Sequence, residues 1–204
     1  MNALRCFCVA SLLACALPAH AEDDHWLIKV GAHNVDPKSN NGTLANGALK
    51  TEVGSSARPT ATFEYLFNPN LGIEALVALP PFDHTVKLNG ANAASVHELP
   101  PTVSLQYHFN PSGSVSPYVG LGLNYTKFFE IKERGPLAGT KLRLSDSVGI
   151  GLHAGLDFRL KGGWIAGIDL RWISISTDAK VNGAKVGTVN IDPLVYGGYI
   201  GYRF

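Results

Sequence analysis

The stretch "VYGGYIGYRF", residues 195–204, ends the chain in mid-strand on a large aromatic ring. Successive side chains of a strand point to opposite faces. Leu194, Tyr196, Gly198, Ile200, Tyr202 and Phe204 therefore share one face, and Val195, Gly197, Tyr199, Gly201 and Arg203 share the other. The apolar face runs to the end of the chain with no polar tail to solvate it. The rest of the sequence has to explain what surrounds that face.

The same period of two recurs along the chain. In "HWLIKVGAHNV" (25–35), Trp26, Ile28, Val30 and Ala32 alternate with Lys29, Gly31 and His33. "ARPTATFEYLF" (57–67) sets Phe63, Tyr65 and Phe67 against Arg58, Thr60, Thr62 and Glu64, and "LGIEALVAL" (71–79) sets Ile73, Ala75 and Val77 against Gly72, Glu74 and Leu76. "LPPTVSLQYHF" (99–109), "PYVGLGLNYTKFF" (117–129), "SVGIGLHAGLDFRL" (147–160) and "WIAGIDLRWI" (164–173) continue the pattern. With the terminal stretch they predict eight strands of about ten residues, the length that crosses a bilayer at a tilt. Connections alternate between short turns, "NPN" (68–70), "NPSGSVS" (110–116) and "KGG" (161–163), and long loops at 36–56, about 83–97, 130–146 and 176–192. An even strand count with alternating short and long connections predicts an all-β fold: an eight-stranded antiparallel transmembrane β-barrel with short periplasmic turns and long extracellular loops.

Composition agrees. Charged residues make up 16% of the chain and the formal net charge is +1, which offers nothing to nucleic acid. No apolar run reaches the roughly 18 residues of a spanning helix. The opening "MNALRCFCVASLLACALPAHA" has a basic residue, Arg5, an apolar run and a closing Ala19-His20-Ala21. It reads as a secretory signal, residues 1–21, removed to leave residues 22–204 as a single barrel domain. A lipoprotein signal ending at Cys15 is a poorer fit, because Leu13 departs from that pattern. Cys6, Cys8 and Cys15 all lie in the signal, so the mature chain is expected to hold no disulfide and no cysteine metal site.

A soluble ligand-binding barrel would turn the apolar face inward instead. The aromatic residues separate the two cases. Trp26, Phe67, Phe109, Phe158, Trp164 and Phe204 fall at the short-turn end of the apolar face, and Tyr125, Phe129, Trp172 and Tyr196 at the long-loop end. Two aromatic girdles around an aliphatic band are what a lipid-facing surface requires. The lumen is then polar, with an ion-pair network expected among Lys29, Arg58, Glu64, Glu74, Asp157, Arg159, Asp169 and Arg171, and no wide pore.

The runs "VHELPPT" (96–102), "PYVGLGLNYTKFF" (117–129) and "IDPLVYGGYIGYRF" (191–204) together resemble the OmpW family of outer-membrane proteins, across essentially the whole mature chain. The family includes alkane-import proteins. The resemblance implies a barrel in the outer membrane of a Gram-negative bacterium, an extracellular apolar funnel, and passage of small hydrophobic molecules with sideways release into the bilayer. It also implies a lumenal constriction of one apolar and one aromatic residue. The matching positions here are Leu76 and Arg171, and Arg171 departs from that pattern. The plainer reading pairs Arg171 with Asp169 or Glu74.

Apolar cargo gains nothing from a lumen of paired charges, so its pathway is expected above them. Candidate lining residues are Leu49, Val53, Leu76, Phe82, Val86, Leu88, Val96, Leu99, Leu142 and Leu144; the plainer alternative is that they only extend strands and pack on each other. Pro80, Pro81, Pro100 and Pro101 cannot donate ladder hydrogen bonds and are candidates for a lateral gap, or simply for bends. Expected partners are outer-membrane lipid and lipopolysaccharide, small hydrophobic molecules and the outer-membrane assembly machinery, which would read Tyr202 and Phe204 as its signal. No cofactor, metal site or enzymatic activity is expected. His25, His33, His84, His97, His108 and His153 are scattered, and a membrane-embedded lipid-modifying enzyme would have to rely on Ser95 and His97. His33 is placed within reach of Asp157 or Glu64. The alternative function is a non-transporting structural or receptor barrel, serving stress tolerance, adhesion or phage attachment.

Overall fold

The structure, a computed structural model, describes residues 25–204; the expected signal segment lies outside them. Among the described residues, eight long strands form the wall. They are β1 (Trp26–Asp36), β2 (Ser56–Asn68), β3 (Leu71–Ala78), β4 (Thr102–His108), β5 (Val115–Glu133), β6 (Ser147–Arg159), β7 (Trp164–Ile173) and β8 (Leu194–Arg203). Each pairs antiparallel with its neighbour in sequence, and β1 pairs with β8 from Leu27↔Arg203 to Asp36↔Leu194, closing the ring.

Closure extends to the last residue. Phe204 N donates to Trp26 O and Trp26 N to Phe204 O, both at 2.9 Å. The phenylalanine that ends the chain is thus a ladder residue. In hydrocarbon every backbone polar group needs an internal partner, and a closed ladder supplies it without leaving an edge.

The outward face carries the alternation read from sequence. Val30, Leu105, Leu121, Leu123, Ile150, Ile168, Leu170 and Ile200 are all exposed, as are Trp26, Phe67, Phe109, Phe158, Trp164 and Phe204 at the short-turn rim. Neighbouring rings at that rim touch: Trp26 and Tyr65 at 5.0 Å between centroids, Trp164 and Tyr202 at 5.3 Å. Exposed rings beside exposed aliphatic residues make sense only against lipid.

Above the opposite rim the structure departs from the sequence reading. The segments expected as long loops carry strands of their own. Residues 82–88 and 91–99 form a hairpin that continues the wall along the outer half of β5. Leu49–Val53 pairs with 82–88 in turn. On the other side Leu142–Leu144 pairs with Ser176–Val181, which pairs with Ala184–Asn190. Both hairpins turn on Asn-Gly, with Asn89 at φ 48°, Gly90 at 82°, Asn182 at 50° and Gly183 at 89°. The left-handed backbone that tight two-residue hairpins demand is what Asn-Gly tolerates. These two dipeptides were the signal that could have found the hairpins.

Candidate functional site: an ionic plug under an apolar funnel

The lumen is filled by side chains. Lys29, buried to 2% exposure, lies 3.2 Å from Glu64 and 3.6 Å from Glu74. Its ammonium also sits 4.9 and 5.0 Å from the ring centroids of Tyr118 and Tyr199, close enough for cation–π attraction. Arg171 reaches both carboxylates considered for it, Glu74 at 2.8 Å and Asp169 at 2.6 Å. Tyr118 Oη donates to Asp169 at 3.1 Å, and Tyr199 Oη donates to Asp157. Glycines make room for these groups: a Cβ on Gly155 would fall 2.3 Å from the Tyr118 ring and 2.5 Å from the Ile168 carbonyl oxygen.

Two of the expected network members stand elsewhere. Arg58 is half-buried on the outer part of β2, and its guanidinium donates to Pro81 O at 3.0 Å and Ala57 O at 3.1 Å. Arg159 is exposed at the short-turn end of β6. Their places are taken by histidines. His108 Nε2 lies 2.7 Å from Glu64, and His153 Nδ1 3.7 Å from Glu74. His33 meets neither Asp157 nor Glu64, as the sequence had suggested. It faces Asp169 at 3.5 Å and Thr60 Oγ1 at 2.7 Å, because His33 and Asp169 flank Gly197 of β8, which has no side chain to stand between them. His97 turns its Nδ1 to Glu130 at 3.0 Å.

Above this plug the chemistry changes. An apolar cluster built from Val35, Leu44, Phe82, Leu88, Val96, Phe128, Leu142, Ile173, Ile175, Val189 and their neighbours fills the extracellular end. It encloses a cavity of about 270 Å³, just under the ~300–1,000 Å³ usual for small-molecule pockets. Seven candidate residues line it: Leu49, Val53, Val86, Leu88, Val96, Leu142 and Leu144. Three do not. Leu76 pairs with Thr62 and Thr102 lower in the barrel, Phe82 packs inside the cluster, and Leu99 is half-buried beside β5. Leu44, Phe128, Val181, Val186, Val189 and Ile191 also line the cavity; sequence reasoning missed the last four by reading 176–192 as a long loop, Leu44 by reading 36–56 as one, and Phe128 by taking it only as a strand residue.

The cavity is not wholly apolar. Thr51, His84 and Glu98 line it, exposed by 0%, 2% and 1%. His84 and Glu98 stand on the 82–99 hairpin, outside the eight wall strands, with Nε2 and Oε2 3.6 Å apart. Burial pushes the Glu98 carboxyl up to about 8. Burial also lowers the His84 imidazole, against the opposing effect of its hydrogen bond to Gly54 O.

The four prolines bracket a break in the wall. The last β3–β4 pair is Leu76↔Thr102, and pairing resumes only at Phe82↔Glu98. Residues 77–78 still pair with β2 and Leu99 with β5, so the β3–β4 ladder lapses here while each strand keeps its other neighbour. Side chains help hold the proline carbonyls: Arg58 bonds Pro81 O, and Asn124 Nδ2 donates to Pro100 O at 3.1 Å and Pro101 O at 3.2 Å, the latter also accepting from Tyr125 N at 3.1 Å.

Comparison with known proteins places this geometry. A family model described as the OmpW family matches residues 22–204. The chain is 32% identical over 209 residues to outer membrane protein W of Vibrio cholerae serotype O1, covering 96% of this chain and 95% of that one. It is 30% identical over 216 residues to a Pseudomonas aeruginosa protein named dibenzothiophene metabolism operon protein PahQ, covering 98% and 99%. Among solved structures it is similar to the outer membrane protein OprG from Pseudomonas aeruginosa, with a TM-score of 0.79 and 30% identity over 88% of this chain and 95% of that one.

Proposed function

The chain belongs to the OmpW family of outer-membrane proteins, and from that premise we propose that it is a passive channel for small hydrophobic molecules. Cargo enters the extracellular funnel, binds in the apolar cavity, and leaves sideways through the proline seam between β3 and β4. The observation that carries this reading is the stacking of an apolar cavity on a closed ionic plug. A guest that has shed its water gains from Leu88, Val96 and Phe128 but meets buried charges below them, which offer it only a desolvation cost. The route down the barrel axis is therefore the worst one for such a guest. A lateral exit would deliver it to hydrocarbon, and the seam ends at the Phe82–Glu98 pair, whose Glu98 lines the cavity. The name of the PahQ relative refers to metabolism of an apolar polycycle, which suits cargo of this class.

The test is uptake of an apolar tracer by cells or liposomes with and without the protein. Replacing Pro80, Pro81, Pro100 and Pro101 with Val or Thr should restore ladder pairing and cut uptake to the protein-free level, while the barrel still assembles. Undiminished uptake by the substituted barrel would remove the lateral exit. No difference between cells with and without the native protein would leave a structural or receptor barrel.

A further inference from the structure

A cavity meant only for hydrocarbon has no use for unpaired polar atoms at its lining, because each costs stability that an apolar residue would not. This one has three, Thr51 Oγ1, His84 Nε2 and Glu98 Oε1, each buried without a hydrogen-bond partner. The cavity's other polar side chains are satisfied. Thr140 donates to Leu137 O and Thr177 to Ser145 O, both at 2.7 Å. The imidazole is also held in place. His84 Nδ1 donates to Gly54 O at 2.7 Å, which commits that nitrogen and leaves Nε2 for another partner. Nε2 and Glu98 Oε2 are 3.6 Å apart, beyond a direct hydrogen bond.

We propose that the funnel recognises amphipathic molecules, an aliphatic or aromatic body bearing one hydroxyl, with the hydroxyl seated among Thr51, His84 and Glu98. The inference deepens the channel reading and rests on the cavity being its binding site. The chemistry of the three groups selects a hydroxyl. With Nδ1 carrying a proton and the ring neutral, Nε2 offers a lone pair. Near neutral pH the Glu98 carboxyl, raised by burial to about 8, keeps its proton and donates, as does the Thr51 hydroxyl. An alcohol or phenol has one proton to give to His84 and two lone pairs to accept from Glu98 and Thr51, so a single oxygen satisfies all three. A carboxylate has no proton to give and would bring a bare charge into an apolar wall.

The experiment compares naphthalene with 1-naphthol, and 1-naphthoate as the anion, titrated by their own fluorescence into the refolded full-length barrel. Protein-free micelles serve as the partition blank. We expect 1-naphthol to bind about tenfold tighter than naphthalene, the equivalent of about one good hydrogen bond, and 1-naphthoate to bind no better than naphthalene. Glu98→Met and Thr51→Val should each bring the ratio of 1-naphthol to naphthalene affinity down toward one. Equal affinity for naphthalene and 1-naphthol, or a preference that persists in both variants, would overturn the hydroxyl site and leave the channel reading standing. Failure of all three ligands to bind the native barrel would overturn both. Thr51→Val is isosteric, so it carries the test even if Glu98→Met does not fold.

Discussion

Arg171 is where the ionic plug can be tested most sharply. It is 3% exposed and 2.6 Å from Asp169 and 2.8 Å from Glu74. Arg171→Met keeps much of the volume and removes the charge, stranding two carboxylates in a lumen that water hardly reaches. Breaking a buried pair by removing one partner costs about 3–5 kcal/mol, because the remaining charge is left uncompensated. Lys29, 3.6 Å from Glu74, shields that carboxylate in part, so the loss should fall near the lower end, about 3 kcal/mol. The control is Lys38→Met. Lys38 and Asp192 sit 2.7 Å apart, but their side chains are 41% and 22% exposed, and such surface pairs are worth about 0–1 kcal/mol and weaken in salt. The assay is urea unfolding of the barrel in lipid bilayers, followed by tryptophan fluorescence and by heat-shifted migration on gels. Adding Asp169→Asn and Glu74→Gln to Arg171→Met should recover much of the loss, since neutral amides cost less to bury. A loss under about 1 kcal/mol for Arg171→Met, or no recovery in the triple variant, would refute the view that these charges hold each other in the lumen.

Three further outcomes follow from other parts of the molecule. Gly155→Ala should cost about 1–3 kcal/mol by overpacking, read as a lower urea midpoint, since its Cβ would meet a backbone oxygen that cannot move as well as the Tyr118 ring. Deleting Phe204 should sharply reduce the assembled fraction in cells, because it removes a ring from the rim and both terminal hydrogen bonds with Trp26; normal insertion of the truncated chain would count against its role as an assembly signal. The 82–99 hairpin should become easier to cleave by protease as pH rises from about 4.5 toward 8. The reason is that the unfolded carboxyl of Glu98 ionises near 4.5 and the folded one only near 8, so stability present at low pH is lost across that window. The groups that bear on this pair also include His84 itself, Asp83 and Arg58. Glu98→Gln should flatten the profile.

The amino-acid sequence by itself determined the class and orientation of this barrel. Alternation such as Trp26, Ile28, Val30 against Lys29, Gly31, His33 is a local property of a strand, and it survives whatever the neighbours are. The rings of Trp26, Phe67, Phe109 and Trp164 then showed which face meets lipid, because only an interface rewards rings at the ends of an aliphatic band. The extracellular hairpins were also legible, through Asn89-Gly90 and Asn182-Gly183, though the polar residues around them masked the signal. What only the tertiary structure decided was who meets whom. His33 faces Asp169, Arg58 leaves the lumen for a proline carbonyl, and Thr51, His84 and Glu98 converge from three strands on one cavity. Such partnerships depend on how far each strand is staggered past the next around a closed ring. That stagger is a property of the whole barrel, set by all eight strands at once, and no single stretch of sequence contains it.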